Sequence, residues 1–553
     1  MMMLKKTGHR QERILLALFL ALIFLFCFNQ INSADSFYHL RTGQLIWQTG
    51  QIPHSDVFSY TAAGAQWIPH EWLAELVFFA VQSASGFWGL EAFIAALATI
   101  TFYFLFLLAR RKGADFFLSL LILFVIGAGS FQFWVPRPQS FVFLFCAALL
   151  YLLERYRNDP KKKYLLWSAL IIWVWANMNA SVALGILIVA LFLGGIAAQE
   201  KKWSPTVRNL TWALLGAIGL SFINPSTYKI FTYGITILPA IHIFKVYEWQ
   251  PILAYWSGTD TKLFVGEIIA AAAFLIWQLG AKGKNRDLAW LVLIIGVSIM
   301  PFVASRYLAY WAIFVAAPLA WTLSDALKNV LAKFSPKIFF TILIVACVGL
   351  LIFRLNTLPS TYVDPSILPV HAADFLADND AQGNTFNVYS QGGYLLWRLW
   401  PEVKISMDGR SEVYLGRPTD EYYAILKDNA DADALINQKY NIQYFVLPYD
   451  PTFLTSVQPL LVSLDKSGWQ MVWWDDGAII LARNDTQNQG LIEKYALHYV
   501  GPFINPTTIK GTAVRPAAAE IQSLMDRAPG SAAIENYAKA FLASHGGSTD
   551  PTP

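Results

Sequence analysis

The sequence predicts an α-helical polytopic membrane protein with a small α/β domain after its last membrane span. Of its 553 residues, 56% are hydrophobic and 14% are charged, whereas soluble domains are about one quarter charged. Apolar runs of about eighteen residues, enough for a helix to cross a bilayer, recur up to residue 355. After Phe353 these runs stop, and short helical and strand patterns alternate.

The basic residues between the apolar runs predict the topology. Cytoplasmic loops collect lysine and arginine, and the basic clusters fall in alternate loops if the short run 72–86 does not cross the membrane. We therefore interpret 72–86 as an amphipathic helix on the outer interface. The result is about eleven spans, with the N-terminus inside and the C-terminus outside, over the ranges 14–31, 88–109, 116–135, 138–154, 164–179, 181–198, 209–224, 263–281, 287–304, 306–326 and 337–355.

The charge pattern and the cysteines exclude two other kinds of site. The net charge of +4 comes from short basic clusters beside the spans, so we expect no nucleic-acid partner. Cys27, Cys146 and Cys347 lie inside apolar runs without a CxxC spacing, which predicts neither a disulfide framework nor a cysteine metal site. The first apolar run has features of a signal peptide, but we expect an uncleaved span that anchors the residues after it.

The stretch Asp35–Trp72 is the longest polar interval before Arg110, and the topology places it outside. It combines acidic, histidine and arginine side chains with aromatic rings, which a plain connection between two spans does not need. The alternative is an ordered, aromatic-rich interfacial loop without a binding role. Its candidate site residues are Asp35, His39, Arg41, Asp56, His70 and Glu71.

Three further charged residues lie at predicted outer ends of spans. Arg137, Glu248 and Arg306 would share the outer face with Asp35–Trp72 under this topology. Ionisable residues at span ends that face a common cavity are candidate functional groups. Snorkelling or helix capping is the alternative for each residue alone, but independent snorkelling should not select one leaflet.

The composition divides the chain into three parts. Residues 1–355 form the predicted transmembrane domain, which includes the first external loop at 32–87. Residues 364–485 form the small extracytoplasmic α/β domain, and residues 486–553 form a tail of short helices with a disordered end. Arg410, in the motif MDGRSEVY after a predicted strand, has two interpretations: a structural turn, or a contact with substrate or another domain.

These residue types suit the transfer of a sugar from a lipid phosphate. A carboxylate can act as general base towards an acceptor hydroxyl. Arginine can bind a phosphate through two parallel hydrogen bonds and stabilise it as it leaves. Because nucleotide sugars are cytoplasmic, a site on the outer face would need a lipid-linked donor. The sequence contains no P-loop, no GxGxxG motif and no GxSxG nucleophile motif.

Asp35 with the following FYHLRTG, just after the first span, resembles the first external loop of the C-type glycosyltransferase (GT-C) superfamily. This superfamily includes the protein O-mannosyltransferases and the catalytic subunits of oligosaccharyltransferases. The motifs DSFYHLRTGQLI, IPHSDVFSYT, WANMNAS, GGYLLWRLWPE and MDGRSEVY also resemble a group of bacterial membrane proteins. The resemblance implies a GT-C-like fold with a catalytic first external loop and a C-terminal domain outside.

The resemblance also implies a role for each candidate residue. Asp35 would be the catalytic base or a metal ligand, and Asp56 and Glu248 would be the further carboxylates for a divalent ion such as Mn²⁺ or Mg²⁺. The motif WWDYG of oligosaccharyltransferases is not at the matching place, and Asn179 stands where related sequences more often have histidine, which leaves the acceptor open. The expected substrate-binding residues are His39, Arg41, Asp56, His70, Glu71, Arg137, Glu248, Arg306 and Arg410.

The sequence therefore predicts a hexosyl- or pentosyl-transferring glycosyltransferase of the bacterial inner membrane, with a periplasmic or extracellular C-terminal domain. Its donor would be a polyprenyl-phosphate sugar, and its acceptor a lipid, a glycan or a protein. Two alternatives stay open. One is a non-catalytic GT-C-like protein in envelope glycan assembly, and the other is a lipid or glycan transporter, a class that often shows internal repeats.

Overall fold

The computed structural model describes residues 9–244, 246–251, 287–331 and 335–545, with a few positions between 266 and 277. The chain forms two compact units. The first, called the helical unit, comprises Met1–Asn29 and Ile68–Ser360, and the second, called the sheet unit, comprises Gln30–Trp67 and Thr361–Pro553. The boundary runs through the predicted external loop 32–87, whose first half groups with the C-terminal residues.

The helical unit consists of helices that follow the apolar runs of the sequence. Residues that are apolar on most faces suit helices buried in lipid or in a helical core. In chain order up to residue 356, and counting α2 of the sheet unit, the described helices are α1 His9–Cys27, α2 Asp35–Thr49, α3 Trp72–Arg111, α4 Phe116–Ala128, α5 Gln139–Asn158, α6 Lys162–Met178, α7 Val182–Glu200, α8 Pro205–Ser221, α9 Lys229–Thr236, α10 Leu238–Phe244, α11 Leu288–Val297, α12 Met300–Val303, α13 Tyr307–Ala326, α14 Lys328–Leu331 and α15 Pro336–Asn356.

Helices lie over each predicted span except 263–281, most of which falls outside the described residues. The predicted span 116–135 is a shorter helix, because α4 ends at Ala128 before a glycine and a serine. Within the described part of the chain, five helices are long and apolar enough to cross a membrane, so the chain is a multi-pass membrane protein. They are Trp72–Arg111, Gln139–Asn158, Val182–Glu200, Tyr307–Ala326 and Lys337–Asn356.

Gly86 divides α3 into two helical segments. Its φ of 70° and ψ of −173° lie in a region that glycine adopts readily and that other residues avoid. The segment before it covers the run 72–86 that the sequence predicts as an interfacial helix, and the segment after it covers the predicted span 88–109. The kink at Gly86 thus separates the two elements that the basic-residue pattern distinguishes.

An ion cluster, the Asp287 cluster, joins the ends of α3, α5 and α11. Lys112 Nζ lies 2.6 Å from Asp287 Oδ2, and Arg157 Nη1 lies 2.7 Å from the same oxygen. Glu154 accepts a hydrogen bond of 3.0 Å from Trp290 Nε1 and lies 3.7 Å from Lys112. Two cations and two carboxylates balance in charge, so the cluster can lie among the helix ends without an uncompensated ion.

The sheet unit contains a five-stranded mixed sheet with the strand order β2-β1-β3-β5-β4. Strands β2, β1 and β3 are parallel, and β5 pairs antiparallel with both β3 and β4. Asp475, Asp476 and Gly477 connect β4 to β5 in a hairpin. The strands are β1 Gly383–Asn387, β2 Val403–Ile405, β3 Ile442–Pro448, β4 Gln470–Trp474 and β5 Ala478–Ala482.

Helices connect the parallel strands, because parallel neighbours need crossover connections. Strand β3 is buried along nearly its whole length, as expected for a central strand covered on both faces. The tail beyond 486 forms three of the helices, and its last eight residues lie outside the described part. The helices are α16 Val370–Asp378, α17 Gly392–Leu399, α18 Arg417–Leu426, α19 Ala432–Ala434, α20 Pro451–Ser456, α21 Gln458–Lys466, α22 Gln489–Tyr495, α23 Val514–Arg527 and α24 Ala532–Ser544.

The hairpin between β4 and β5 contains a buried acid, Asp475. Its Oδ1 accepts hydrogen bonds from the backbone N–H groups of Gly477 at 2.9 Å and Ala478 at 2.8 Å. Burial raises the pKa of the Asp475 carboxyl to about 7, although these two N–H donors favour the charged form. The folded protein therefore binds a proton at this residue more tightly than the unfolded chain does.

We predict that Asp475→Asn removes one component of the pH dependence of stability. In the wild type, the contribution of Asp475 is fully present below a pH of about 4 and disappears as the pH rises to about 7, a difference of roughly 4 kcal/mol. Asparagine keeps the oxygen acceptor but does not titrate. Thermal unfolding of the purified protein in detergent from pH 4 to 8 should show a smaller slope for the variant, while Asp465→Asn, at an exposed acid, should retain the wild-type slope.

Candidate active site

The predicted site residues fall into the two units. Asp35, His39, Arg41, Asp56 and Arg410 lie in the sheet unit, and His70, Glu71, Arg137, Glu248 and Arg306 lie in the helical unit.

Asp35 is the first residue of α2. A carboxylate in the first turn of a helix is stabilised by the partial positive charge of the free N–H groups there. The side chain is half-buried and packs against Gly409. A Cβ atom at position 409 would overlap Asp35 Oδ1 and would lie 2.9 Å from Asp35 Cγ and 2.8 Å from Tyr38 Cε1. Asp35 and the MDGR motif are therefore in direct contact.

Arg410 lies at the centre of a buried ion cluster, the Arg410 cluster. Its Nη1 is 2.8 Å from Asp56 Oδ1, and its Nη2 is 2.7 Å from Asp408 Oδ2. The guanidinium lies 4.9 Å from the ring centre of Phe58 and 4.7 Å from that of Trp67, within the range of cation–π attraction. The residue is only 2% exposed.

Burial alone would lower the pKa of Arg410, but the neighbouring acids and Tyr414 raise it well above its usual range. The arginine is thus held charged by protein groups. Asp56 is also bound by other protein groups. It accepts hydrogen bonds from the N–H groups of Phe58 at 3.2 Å and Ser59 at 3.1 Å. These contacts join Arg410 to Asp56 within the sheet unit, so Arg410 links two segments of that unit that are distant in the sequence.

Arg41 closes the C-terminal end of α17. It donates hydrogen bonds to the carbonyl oxygens of Trp397 at 2.6 Å and Trp400 at 3.0 Å, which have no partner further along the helix. Burial lowers the pKa of Arg41 to about 10, and Glu402 opposes the shift. Next to it on α2, His39 is buried, with its ring centre 4.1 Å from that of Tyr38.

In the helical unit, Arg137, Glu248 and Arg306 form one ion cluster, the Glu248 cluster. Arg137 donates two hydrogen bonds to the two oxygens of Glu248, at 3.0 Å and 3.2 Å, and Arg306 Nη1 lies 3.5 Å from Glu248 Oε1. Arg306 also donates to Gln139 Oε1 at 2.6 Å and stacks 4.2 Å above the Trp249 ring. Two guanidinium groups share one carboxylate, which leaves the cluster with one net positive charge.

The charge of Glu248 is fixed by these two arginines. Burial alone would raise the pKa of its carboxyl, but Arg137 and Arg306 outweigh burial and lower it to about 2. Glu248 is therefore ionised throughout the physiological range and holds both guanidinium groups in place. The side chains remain partly accessible, with 21% of Glu248 exposed.

The Glu248 and Asp287 clusters lie at opposite ends of α5. Arg137 immediately precedes this helix, and Arg157 belongs to its last turn. A helix of 20 residues is about 30 Å long at about 1.5 Å per residue, which equals the thickness of the hydrocarbon core of a bilayer. The helical unit thus carries one ion cluster at each end of a membrane-length helix.

His70 and Glu71 lie at the start of α3 beside residues that the sequence does not single out as site residues. Asn179 donates a hydrogen bond of 2.8 Å to Glu71 Oε1, and His70 Nε2 lies 3.8 Å from Glu71 Oε2. The ring of Tyr233 lies 3.9 Å from that of His70. Tyr233 has no sequence signal, because nothing along the chain relates a tyrosine in a short helix to a histidine 163 positions earlier.

We predict that Asp56→Ala destabilises the protein by about 3–5 kcal/mol, because it removes one of the two buried carboxylates that bind Arg410 and leaves the N–H groups of Phe58 and Ser59 without their acceptor. Chemical unfolding of the purified protein in detergent measures the change. Arg417→Ala, which removes an exposed ion pair with Glu421, should cost less than about 1 kcal/mol. A cost for Asp56→Ala as small as that of Arg417→Ala would show that the Arg410 cluster does not stabilise the fold.

No family model matches the chain. No curated protein matches its sequence.

Solved structures share its fold. An oligosaccharyltransferase of Archaeoglobus fulgidus, tethered to an acceptor peptide with an NVT sequon, superimposes with a TM-score of 0.58 at 12% identity, over 86% of this chain and 74% of that one. The oligosaccharyltransferase AglB of the same organism, in complex with an inhibitory peptide and a dolichol-phosphate, gives 0.56 at 10% identity, over 87% and 75%. ArnT of Cupriavidus metallidurans bound to undecaprenyl phosphate gives 0.53 at 12% identity, over 87% and 99%. The chain therefore has the fold of these GT-C proteins.

Proposed function

We propose that the chain is a membrane glycosyltransferase that moves a sugar from a polyprenyl-phosphate donor to a lipid, glycan or protein acceptor. The observation that carries the proposal is its likeness to ArnT bound to undecaprenyl phosphate, which extends over 87% of this chain and 99% of that one. The position of Asp35 supports it, because an acid at the first residue of the first external helix suits a general base at the membrane surface.

In the proposed reaction, Asp35 takes the proton of an acceptor hydroxyl. The hydroxyl oxygen then forms a bond to the anomeric carbon of the sugar, while the bond from that carbon to the phosphate oxygen breaks. The bonding electrons leave with the polyprenyl phosphate, which gains a negative charge as the sugar departs. Asp35 ends the step protonated and returns the proton to solvent.

The Glu248 cluster of the helical unit contains groups that suit a lipid phosphate. Its one net positive charge attracts an anion, and guanidinium groups bind phosphate oxygens in pairs. Glu248 is ionised and holds both arginines in place, so the cluster needs little reorganisation as negative charge develops. We propose Arg306, which is bound to Glu248 less closely than Arg137 is, as the principal phosphate contact.

We propose a topology of about eleven spans with the N-terminus in the cytoplasm and the sheet unit on the outer face of the bacterial inner membrane. The Asp287 cluster supports this orientation, because it contains Lys112 and Arg157 from two of the predicted cytoplasmic loops. The Glu248 cluster, at the other end of α5, then lies at the outer face. A donor carried by a membrane lipid can reach that face without a soluble nucleotide sugar.

Two members of the expected metal set Asp35, Asp56 and Glu248 are already bound by arginines, so Asp56 and Glu248 are poor ligands for a divalent ion. Asp56 binds Arg410 and two backbone N–H groups, and both oxygens of Glu248 accept hydrogen bonds from Arg137. A metal ion would have to displace these arginines, and its positive charge would repel them. We therefore assign the proposed reaction no step that uses a metal at these residues.

We predict that Asp35→Asn abolishes transfer, with a loss of at least about 100-fold, because asparagine cannot accept the proton. Mass spectrometry of envelope glycans and lipids, from cells with and without the protein, identifies the product that depends on it. The variant should be inserted and folded but should not restore this product. Asp378→Asn, at an exposed acid of the sheet unit, should restore it fully. Restoration by a folded Asp35→Asn variant would favour a non-catalytic role in glycan assembly.

We also predict that Arg306→Gln weakens the binding of undecaprenyl phosphate by about tenfold or more, because the Glu248 cluster loses its net positive charge. Native mass spectrometry of the purified protein with added undecaprenyl phosphate measures the affinity. Arg208→Gln, at an exposed residue of α8, keeps the cluster intact and is the matched loss of one arginine. Equal affinities for the two variants would remove Arg306 from the proposed phosphate site.

A further inference from the structure

The loop Met407–Ser411 touches Asp35 directly. Gly409 is the point of contact, because a side chain there would overlap Asp35 Oδ1 and press on the ring of Tyr38. Both partners lie in the sheet unit, although 373 positions separate them in the sequence. Such a close approach of backbone to a carboxylate is possible only at a glycine.

The loop is fixed on both sides of Gly409. On one side, the carbonyl oxygen of Met407 accepts a hydrogen bond of 2.8 Å from Asn387 Nδ2. A Cβ at Gly392 would overlap that same carbonyl oxygen, so the start of α17 also lies directly against the loop. On the other side, Arg410 is held by Asp56 and Asp408. The backbone at 409 therefore cannot retreat from Asp35 without breaking buried contacts.

Tyr389 supports the loop from the end of β1. Its hydroxyl lies 3.1 Å from the carbonyl oxygen of Gly409, to which it donates, and 2.6 Å from Ser411 Oγ. Burial raises the pKa of Tyr389, and the negative charge of Asp35 raises it further. The hydroxyl thus keeps its proton and remains a donor to the loop.

We propose that the loop Met407–Ser411 positions the carboxylate of Asp35, with Gly409 and Tyr389 as positioning residues. This inference rests on the proposed function, in which Asp35 is the general base. It extends the functional site to Gly409 and Tyr389 of the sheet unit. In the proposed reaction, neither residue touches the lipid phosphate or the reacting hydroxyl.

The physical reason is the sensitivity of proton transfer to position. A general base must lie within hydrogen-bond reach of the proton that it takes, and a misplacement of about 1 Å can cost about 100-fold in rate. Asp35 is the first residue of its helix, where backbone hydrogen bonds constrain it least. A rigid loop against its carboxylate supplies the constraint that the helix end lacks.

The first experiment measures the contact without reference to activity. Thermal unfolding midpoints are compared for the wild type, Gly409→Ala, Asp35→Ala and the double variant, all as the full chain in detergent. Gly409→Ala should lower the midpoint in the wild type and lower it less when Asp35 is already alanine, because the overlap with the carboxylate is gone. Additive changes would overturn the inference, since the two residues would then be independent.

The second experiment measures the consequence for transfer, through the glycan or lipid product that depends on the protein. Folded Gly409→Ala should reduce the rate of product formation about 100-fold while the binding of undecaprenyl phosphate stays unchanged. Gly490→Ala is the matched control, because a Cβ there meets nothing within 4 Å. A wild-type rate for Gly409→Ala would overturn the inference.

Tyr389→Phe tests the loop with a milder change. It keeps the ring and removes the hydroxyl that holds Gly409, so we expect a rate reduced about tenfold with unchanged lipid binding. Tyr499→Phe, at an exposed tyrosine of the same unit, should leave the rate unchanged. A wild-type rate for Tyr389→Phe would show that Tyr389 does not position Asp35.

The two proposals fail in different ways. If no glycan or lipid product depends on the protein, the proposed function fails. The unfolding midpoints of the single and double variants would still show whether Gly409 and Asp35 interact. If a product depends on Asp35 but not on Gly409, the proposed function stands and the positioning role fails.

Discussion

The buried charge of Arg410 is the constraint on which the sheet unit depends. A guanidinium that is 2% exposed requires carboxylates as direct neighbours, since the cost of an unpaired buried ion exceeds most single stabilising contacts. One of these carboxylates, Asp408, is local, but the other, Asp56, comes from the segment before the second apolar run. The ion cluster therefore ties the short segment that contains Asp56 to residues of the sheet unit that lie more than 300 positions later.

Backbone hydrogen bonds also join the segment Gln30–Trp67 to the C-terminal part of the sheet unit. The N–H of Tyr60 donates to the carbonyl of Ile405 at 3.2 Å, and Ser59 forms a parallel bridge with the same residue at the open edge of β2. Ile31 forms a second parallel bridge, with Val363. The segment Gln30–Trp67 thus covers a sheet edge that would otherwise expose unpaired N–H and carbonyl groups. This explains why Gln30–Trp67 belongs to the sheet unit although it follows the first apolar run.

The sequence predicts local elements well because their causes are local. Apolar runs predict the helices. Short strand patterns predict strands such as 470–474 and 478–482. Gly86 lies at the break between a short helix and a predicted span. Basic-residue counting also predicted that Arg137, Glu248 and Arg306 share one side of the helices, and they do lie together in one ion cluster. The partner of Arg410 and the contact of Gly409 with Asp35 could not be predicted, because both depend on how distant segments fold together.

Arginine shows why residue type alone does not define the site. Arg410 and Arg306 are both arginines beside acids and aromatic rings, but the number of carboxylates differs. Arg410 has two buried acids to itself, so no positive charge remains for an anionic ligand. Arg306 shares the carboxylate of Glu248 with Arg137, so these three side chains together carry one net positive charge. An anionic substrate is attracted only to the second kind of cluster. The balance of charges therefore distinguishes an arginine that binds another segment of the chain from one that suits a phosphate. This balance becomes visible only in the fold.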